Sequence, residues 1–342
     1  MRALVTGAAG FIGSHVVRAL LERGHEVRAF VLPTDPLRNL RHLDVEVRLG
    51  DVCDGDSVSR AMRGVEQVYH LAAIYALWTG DRGARMHRVN VDGTRTVLEH
   101  AARAGVHRVV HTSSIARFGG QGLERSANES SAFALGPTRS AYALSKRDAH
   151  EVALAAARAG QDVVIVAPCG PVGPGDVGPT PTGKLLLECL SLPVIPVVRT
   201  MTNFVDVRDV AMGHVLAAER GETGETYLLG HRNLWLRELA AMALRAIGCS
   251  APIVEMPRGG ARFAGRMMSM LADRVTHRAP PLTSEAIAIA ELGLAADASK
   301  AVRELGMPQT PLEDALRDAF AWFAREGYIK RAKMRERIKG GL

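Results

Sequence analysis

Two hydrophobic periodicities alternate along the first half of the chain. Short runs rich in β-branched residues at 2–5, 26–32, 45–49, 65–71, 108–111 and 163–167 read as strands. Between them, stretches with an apolar residue every three or four positions read as helices at 14–23, 82–104 and 139–158, closed by Gly24, Gly105 and Gly160. Glycine suits that closing position because it enters left-handed backbone without a Cβ penalty. A polar loop at 119–138 precedes the last of these helices. Strands alternating with helices predict a parallel, doubly wound α/β sheet. Beyond Pro174 the pattern changes. Short apolar pieces at 184–190, 194–198 and 203–207, a helix at 210–219, a strand at 226–229 and helical pattern at 235–246 predict a smaller mixed α/β lobe over the open side of the sheet. A helix at 310–325 turns Leu312, Ala315, Phe320 and Phe323 toward a core.

The first turn carries the first candidate chemistry. Thr6-Gly7-Ala8-Ala9-Gly10-Phe11-Ile12-Gly13 sits directly between a strand and a helix. Such a turn lets a pyrophosphate rest on bare backbone N–H groups at a helix N-terminus, where a β-carbon would block it. Gly7, Gly10, Phe11, Ile12 and Gly13 are the expected contacts. The expected organisation is a Rossmann-type dinucleotide-binding domain at 1–175, a substrate lobe at 176–329 from which the chain returns in part, and a basic tail at 330–342. An acid at the end of the second strand would accept the ribose 2′-hydroxyl of NAD, but Val31 and Leu32 stand there. Arg38 and Arg41 follow and can pair with a 2′-phosphate, so NADP is expected ahead of NAD. Gly50-Asp51-Val52 and His70-Leu71-Ala72-Ala73 end the next two strands. Their small residues allow adenine and ribose to approach, and Asp51 can bond the adenine amino group.

Composition limits the partners more than the fold. With 47% hydrophobic and 23% charged residues, the chain is an ordinary globular one. Its net charge of +7 owes +5 to the stretch from Lys330 to Lys339, six basic residues against Glu336. The body is nearly neutral, so nucleic acid is not expected as a partner, while the tail is free to touch an anionic surface. No apolar run approaches the ~20 residues of a membrane span, and no leader pattern precedes the first strand. Cys53, Cys169, Cys189 and Cys249 have no paired spacing. Neither a metal site nor a disulfide framework is expected, and the cytoplasm is the expected location.

The fifth strand delivers Thr112-Ser113-Ser114 to its carboxyl end, where open α/β sheets keep their chemistry. The following helix carries Tyr142 and Lys146 at i, i+4, one turn apart on one face. A phenol is a natural proton donor to a carbonyl, but its ordinary pKa of ~10 is high for exchange at neutral pH. An adjacent ammonium favours phenolate, so Lys146 is expected to lower it. Ser114 would hold the substrate oxygen within reach of Tyr142 and a nicotinamide, with Thr112 on the coenzyme side.

With these segments assembled, the chain resembles the extended short-chain dehydrogenase/reductase family, which includes NAD-dependent epimerases and dehydratases. The matching marks run in family order: the glycine turn, Asp51-Val52, His70-Leu71-Ala72-Ala73, Asn90-Val91-Asp92-Gly93-Thr94, Thr112-Ser113-Ser114, Tyr142 to Lys146, and Gly173-Pro174-Gly175-Asp176. Asn203-Phe204-Val205-Asp206-Val207-Arg208-Asp209-Val210 extends the match into the second half. The resemblance implies that Ser114, Tyr142 and Lys146 are catalytic, that Asp51 and Val52 contact adenine and that Pro168 lies on the nicotinamide side. It also implies a homodimer through helices on the flank of the sheet. Pro179-Thr180-Pro181-Thr182-Gly183 and Leu77-Trp78 resemble the hopanoid-associated sugar epimerase group, itself similar to dihydroflavonol and cinnamoyl-CoA reductases. Sugar-nucleotide enzymes of this family usually carry Asn where this chain has Gly170, and tend to carry Arg just before the strand beginning Thr202-Asn203-Phe204. Both marks look absent here. Met201, Phe204, Trp235, Phe263, Met267 and Met268 supply apolar material instead. A reductase of a ketone or aldehyde on a small, partly apolar molecule is the first expectation. An epimerase or dehydratase that recycles its coenzyme is the alternative, and a non-catalytic dinucleotide sensor is a third.

Overall fold

The computed structural model describes residues 1–342 except 124, 135–139, 279, 281, 330–337 and 339–342, and leaves the side chains of 258 and 292 undescribed. The first half runs β1 (Arg2–Thr6), α1 (Phe11–Glu22), β2 (Glu26–Val31), β3 (Glu46–Leu49), α2 (Gly55–Met62), β4 (Gln67–His70), α3 (Ala84–His87), α4 (Gly93–Arg103), β5 (Arg108–Thr112), α5 (Ala141–Arg158) and β6 (Val163–Pro168). The chain then passes through β7 (Gly170–Val172), α6 (Pro181–Ser191), β8 (Ile195–Val197), β9 (Met201–Asp206) and α7 (Val207–Arg220). With β10 (Thr226–Leu229) it returns to the main sheet. That sheet has the order β10-β6-β5-β4-β1-β2-β3, with every neighbouring pair parallel. It is the expected Rossmann-type doubly wound α/β fold.

Both faces of the sheet are covered, which is why its strands read as nearly continuous apolar runs. Val5, Val110, Val164 and Val166 pack beneath α1 and α7, while Leu4, Val109, Val163 and Ile165 pack beneath α2, α4 and α5. Each such side chain contributes ~1.5–3 kcal/mol by leaving water. The rest of the chain forms β11 (Arg232–Trp235), α8 (Leu236–Ala246), β12 (Ile253–Glu255), α9 (Arg258–Leu271), α10 (Ser284–Leu292) and α11 (Leu312–Arg325). A second core gathers Leu186 of α6, Leu239 of α8 and Leu316 and Phe320 of α11. β9 pairs in parallel with β7 and antiparallel with β11, which stitches this lobe to the end of the main sheet.

Three expectations change. The apolar piece at 184–190 lies within helix α6, started by Pro181 and capped by Thr180 Oγ1, which accepts from Gly183 N at 3.1 Å. A short apolar run has no period that separates strand from helix. The stretch between the helical pattern at 235–246 and the helix at 310–325, for which no element was predicted, forms β12, α9 and α10, with α9 packed inward through Ala261 and Gly265. The helix expected from 139 begins at Ala141, behind its cap Ser140. Arg139, part of the loop at 119–138, and all the basic tail beyond 329 but Ile338 lie outside the described residues. Among the described residues, no helix is long and apolar enough to cross a membrane.

Candidate active site

The strand order reverses between β1 and β4, and a groove of about 690 Å³ opens there at the carboxyl ends of the strands. Its floor is the glycine turn. Gly7 has φ +67°, and a Cβ there would stand 2.9 Å from the backbone N of Ala72. At Gly13 a Cβ would fall 2.2 Å from the Gly7 carbonyl oxygen, so only glycine lets α1 start this close to β1. Gly10 caps α1 without any side-chain bond, and the first turn of α1 contains no acid. The N–H groups of that turn therefore face the groove beside Gly10, Phe11, Ile12 and Gly13, all of which line it. This is a built anion cradle, and it fits the pyrophosphate of a dinucleotide.

The neighbouring strand end is held by a hydrogen-bonded chain. Thr6 Oγ1 accepts from Leu71 N and Ala72 N, both at 3.1 Å, and lies 2.8 Å from His70 Nδ1. Its proton therefore goes to Nδ1. The opposite nitrogen, His70 Nε2, meets Thr94 Oγ1 at 3.0 Å, and that hydroxyl donates to the Asn90 carbonyl at 2.6 Å. Burial pushes the His70 pKa down to about 3, so the ring is neutral, as this chain of donors requires. Asn90 also accepts from Ile74 N at 2.7 Å and donates to Ser145 Oγ on α5 at 3.0 Å. The His70 and Asn90 motifs thus act as scaffolding that fixes the loop after β4 against α5. Leu71, Ala72, Ala73, Asp51, Val52, Thr112 and Pro168 all line the groove.

Arg38 does not line the groove. It lies in the short turn Leu37–Leu40, where its guanidinium donates to Tyr328 Oη at 3.3 Å and stands 3.9 Å from Glu326. A phenol and a carboxylate on the segment after α11 hold it away from the coenzyme side. The residue at the mouth of the groove is Asp35, whose carboxylate accepts from Leu32 N at 3.0 Å. The sequence reading stopped at Leu32 and missed this acid three residues on.

β5 fans its last residues in different directions. Thr112 sends its hydroxyl to His214 Nε2 at 3.0 Å, and Ser113 sends its own to His150 Nδ1 at 3.0 Å. Ser114 remains at the groove, accepting from Ala116 N at 3.2 Å and lying near enough to the Tyr142 phenol to lower its pKa. Lys146 donates to the Thr112 carbonyl at 3.1 Å. The structure therefore brings Ser114, Tyr142 and Lys146 together, all three nearly buried.

Their electrostatics differ from expectation. Burial pushes Tyr142 up to about 12, and the opposing contribution comes from Ser114 rather than from Lys146. Burial likewise lowers Lys146 to about 8, because its ammonium faces a carbonyl and no carboxylate. The protein groups alone keep Tyr142 protonated at neutral pH, the state required of a proton donor. Two partners of this centre went unnoticed in the sequence. Tyr75 packs its ring edge-on to Tyr142 with centroids 4.6 Å apart. Glu285 of α10 accepts from Ser140 Oγ at 2.5 Å and lies 3.4 Å from Tyr142 N, at the positive end of α5. Neither belongs to a local motif, since each is brought in by tertiary folding. Of the apolar residues expected near substrate, Phe204 lines the groove, whereas Phe263, Met267 and Met268 are exposed on α9.

A nucleotide cradle at a switch point, followed by Ser, Tyr and Lys at the end of the fifth strand, defines an extended short-chain dehydrogenase/reductase. The chain belongs to the NAD dependent epimerase/dehydratase family, whose model matches residues 3–230. It is 41% identical over 95% of its length, and 95% of the other chain, to a Synechocystis protein provisionally named dihydroflavonol 4-reductase. It is 35% identical to sterol demethylase protein B of Methylococcus capsulatus, covering 96% of this chain and 100% of the relative. A dTDP-glucose 4,6-dehydratase from Streptomyces venezuelae, crystallised with NAD, superposes with a TM-score of 0.76 at 28% identity, covering 96% of this chain and 99% of that one. The protein is an NAD(P)-dependent oxidoreductase of the extended type.

Proposed function

We propose that the protein reduces a ketone or aldehyde on a small, largely apolar substrate. The observation that carries this reading is the wall of the groove beyond the catalytic residues, formed by Tyr75, Leu77, Leu185, Val198, Phe204, Leu236, Ile289 and Leu294. Among the described lining residues the cations are Lys146 and Arg85, too few for a coenzyme and a second diphosphate together. An arginine does stand just before β9, against the sequence reading, but Arg199 stacks on the Trp235 ring, 5.4 Å from its centroid, and does not line the groove. Two full-length relatives carry names from flavonol and sterol chemistry, in keeping with such a wall.

In this reading a nicotinamide coenzyme, held over Gly7, Gly10 and Gly13, would provide the hydride chemistry, and the residues around the carbonyl would do the rest. Tyr142 gives its phenolic proton to the oxygen, which leaves an alcohol. Ser114 donates a hydrogen bond to the same oxygen and fixes its distance from Tyr142. Lys146 places a positive charge behind the phenolate as it forms, a charge that costs less there than in the resting state. For the coenzyme, Asp35, four residues beyond β2, lines the groove and supports NAD, since an acid in this part of the fold would accept a 2′-hydroxyl and repel a 2′-phosphate. Arg38 would have to leave Tyr328 and Glu326 before NADP could use it.

The test is the loss of reduced-nicotinamide absorbance with NADH or NADPH and a panel of hydrophobic ketones, aldehydes and sugar nucleotides. Stoichiometric loss with a carbonyl compound, faster with NADH, is the expected result. Product from a sugar nucleotide without net loss would replace the reductase reading with an epimerase or dehydratase.

A further inference from the structure

The cap over the groove turns its apolar side outward. α9 and the wider helical turn after it, Ala272–Thr276, present Phe263, Met267, Met270, Leu271 and Val275 to solvent, with 68, 48, 46, 52 and 66% of their surface exposed. These positions follow i, i+4, i+7, i+8 and i+12, the pattern of a single helix face. The inward face is made of small residues instead. Ala261 and Ala272 are buried, and a Cβ at Gly265 would meet Ile287 Cγ1 and the Thr283 carbonyl carbon at 3.3 Å. A helix that buries its glycine and alanine while exposing phenylalanine and methionine is not patterned for a core. Its large side chains are placed for another apolar phase.

The charge around the stripe identifies that phase. Between 258 and 278 there are five arginines, at 258, 262, 266, 274 and 278, against the single acid Asp273. Asp273 accepts from Trp78 Nε1 at 2.8 Å, and Arg262 is paired with Glu291 at 2.7 Å. An apolar stripe bordered by arginines matches a helix lying in a bilayer interface, with its rings and thioethers at the acyl boundary and guanidinium groups among lipid phosphates. A second copy of this chain is a poorer fit, because a two-fold contact through α9 would bring the same arginines face to face. The stripe also adjoins the groove: α10, against which α9 packs, lines the groove with Ala286, Ile289 and Ala290, and Trp78 follows groove-lining Leu77.

We propose that α9 docks on an anionic bilayer surface and so opens the mouth of the groove to an amphiphilic substrate held in the membrane. The nature of that substrate rests on the reductase reading, whereas the docking does not. The full chain should co-sediment with phosphatidylcholine vesicles containing one quarter phosphatidylglycerol, remain in solution with pure phosphatidylcholine, and release from the anionic vesicles at high salt. Replacing Phe263→Ser, Met270→Ser and Val275→Ser together should weaken partitioning at least tenfold, and so should Arg266→Glu with Arg274→Glu. Unchanged NAD(H) affinity would show that both variants remain folded. No sedimentation of the wild type with anionic vesicles would overturn the proposal. So would undiminished partitioning of both variants, with truncation before Lys330 abolishing it, or a wild-type dimer that the triple variant turns into a monomer. Turnover plays no part in this measurement, so failure of the reductase reading would leave it standing.

Discussion

In the sheet that carries the glycine turn, Leu4, Val68, Val109 and Ile165 are at most 1% exposed. The polar side chains among them, Thr6, His70, Thr94 and Asn90, are tied to one another. Across the groove stands α10, and behind it α9 and its following turn leave Phe263 and Val275 about two-thirds exposed and rest on α10 through small residues. The two sides of the groove carry different demands. One must hold a phenol, an ammonium and a backbone cradle in fixed geometry, and a close-packed sheet satisfied on both faces does that. The other admits substrate, and elements with little buried area are the ones that can move at small cost. Glu285 is the point where they meet, since its carboxylate on the cap bonds the cap residue of the catalytic helix.

The largest effect that would test this contrast is at the chemistry itself. Tyr142→Phe should lower kcat by roughly 10²–10⁴-fold while the NAD(H) dissociation constant stays within about twofold; retained turnover would remove Tyr142 from the proton transfer. Next is the packing of that sheet. Ile165→Ala in β6 should cost about 2–5 kcal/mol of unfolding free energy in a denaturant titration. A loss near zero would mean that the sheet is not the rigid partner.

The third effect is read by pH. Lys146 keeps its proton up to about pH 8 in the folded chain and up to about 10.5 when unfolded, so between those values the unfolded chain binds more protons. Its contribution to stability therefore rises with pH over that window. The reduction rate should fall above about pH 8 as the ammonium is lost, and Lys146→Arg should move that limb upward. Smaller still is Glu285→Gln, expected to raise KM by up to about tenfold with less change in kcat, because a neutral amide holds the N-terminus of α5 less well. Equal losses in both constants would place Glu285 in the chemistry itself. Last, Phe263→Ser should change stability by no more than about 0.5 kcal/mol. A large loss there would show that the cap is packed like the sheet.

Much of the coenzyme wall was legible because its signals are local. A strand, a glycine turn and a helix follow one another without a break between Arg2 and Glu22, and Tyr142 and Lys146 share a helix face by spacing alone. Ser114 could be separated from Ser113 only by its place in a motif; the structure adds that Ser113 is taken by His150. The pairing of Arg38 with Tyr328 and Glu326 was not legible, because a basic residue in a surface turn gives no sign of what lies opposite and these partners are some 290 residues away in the chain. Asp35 was overlooked because the turn at 32–35 folds it back onto Leu32 N.

The sequence by itself determined the alternation of strands and helices through β6, the glycine turn and the shared helix face of Tyr142 and Lys146, since each depends on residues within a turn or two of one another. Only the tertiary structure decided the charge state of that pair. Burial, which no local pattern reports, sets Tyr142 near 12 and Lys146 near 8. The same holds for the cap. Phe263, Met267 and Met270 recur at a helical period whether they face a core or water, and only the packing of Gly265 on Thr283 and Ile287 determines that they point outward.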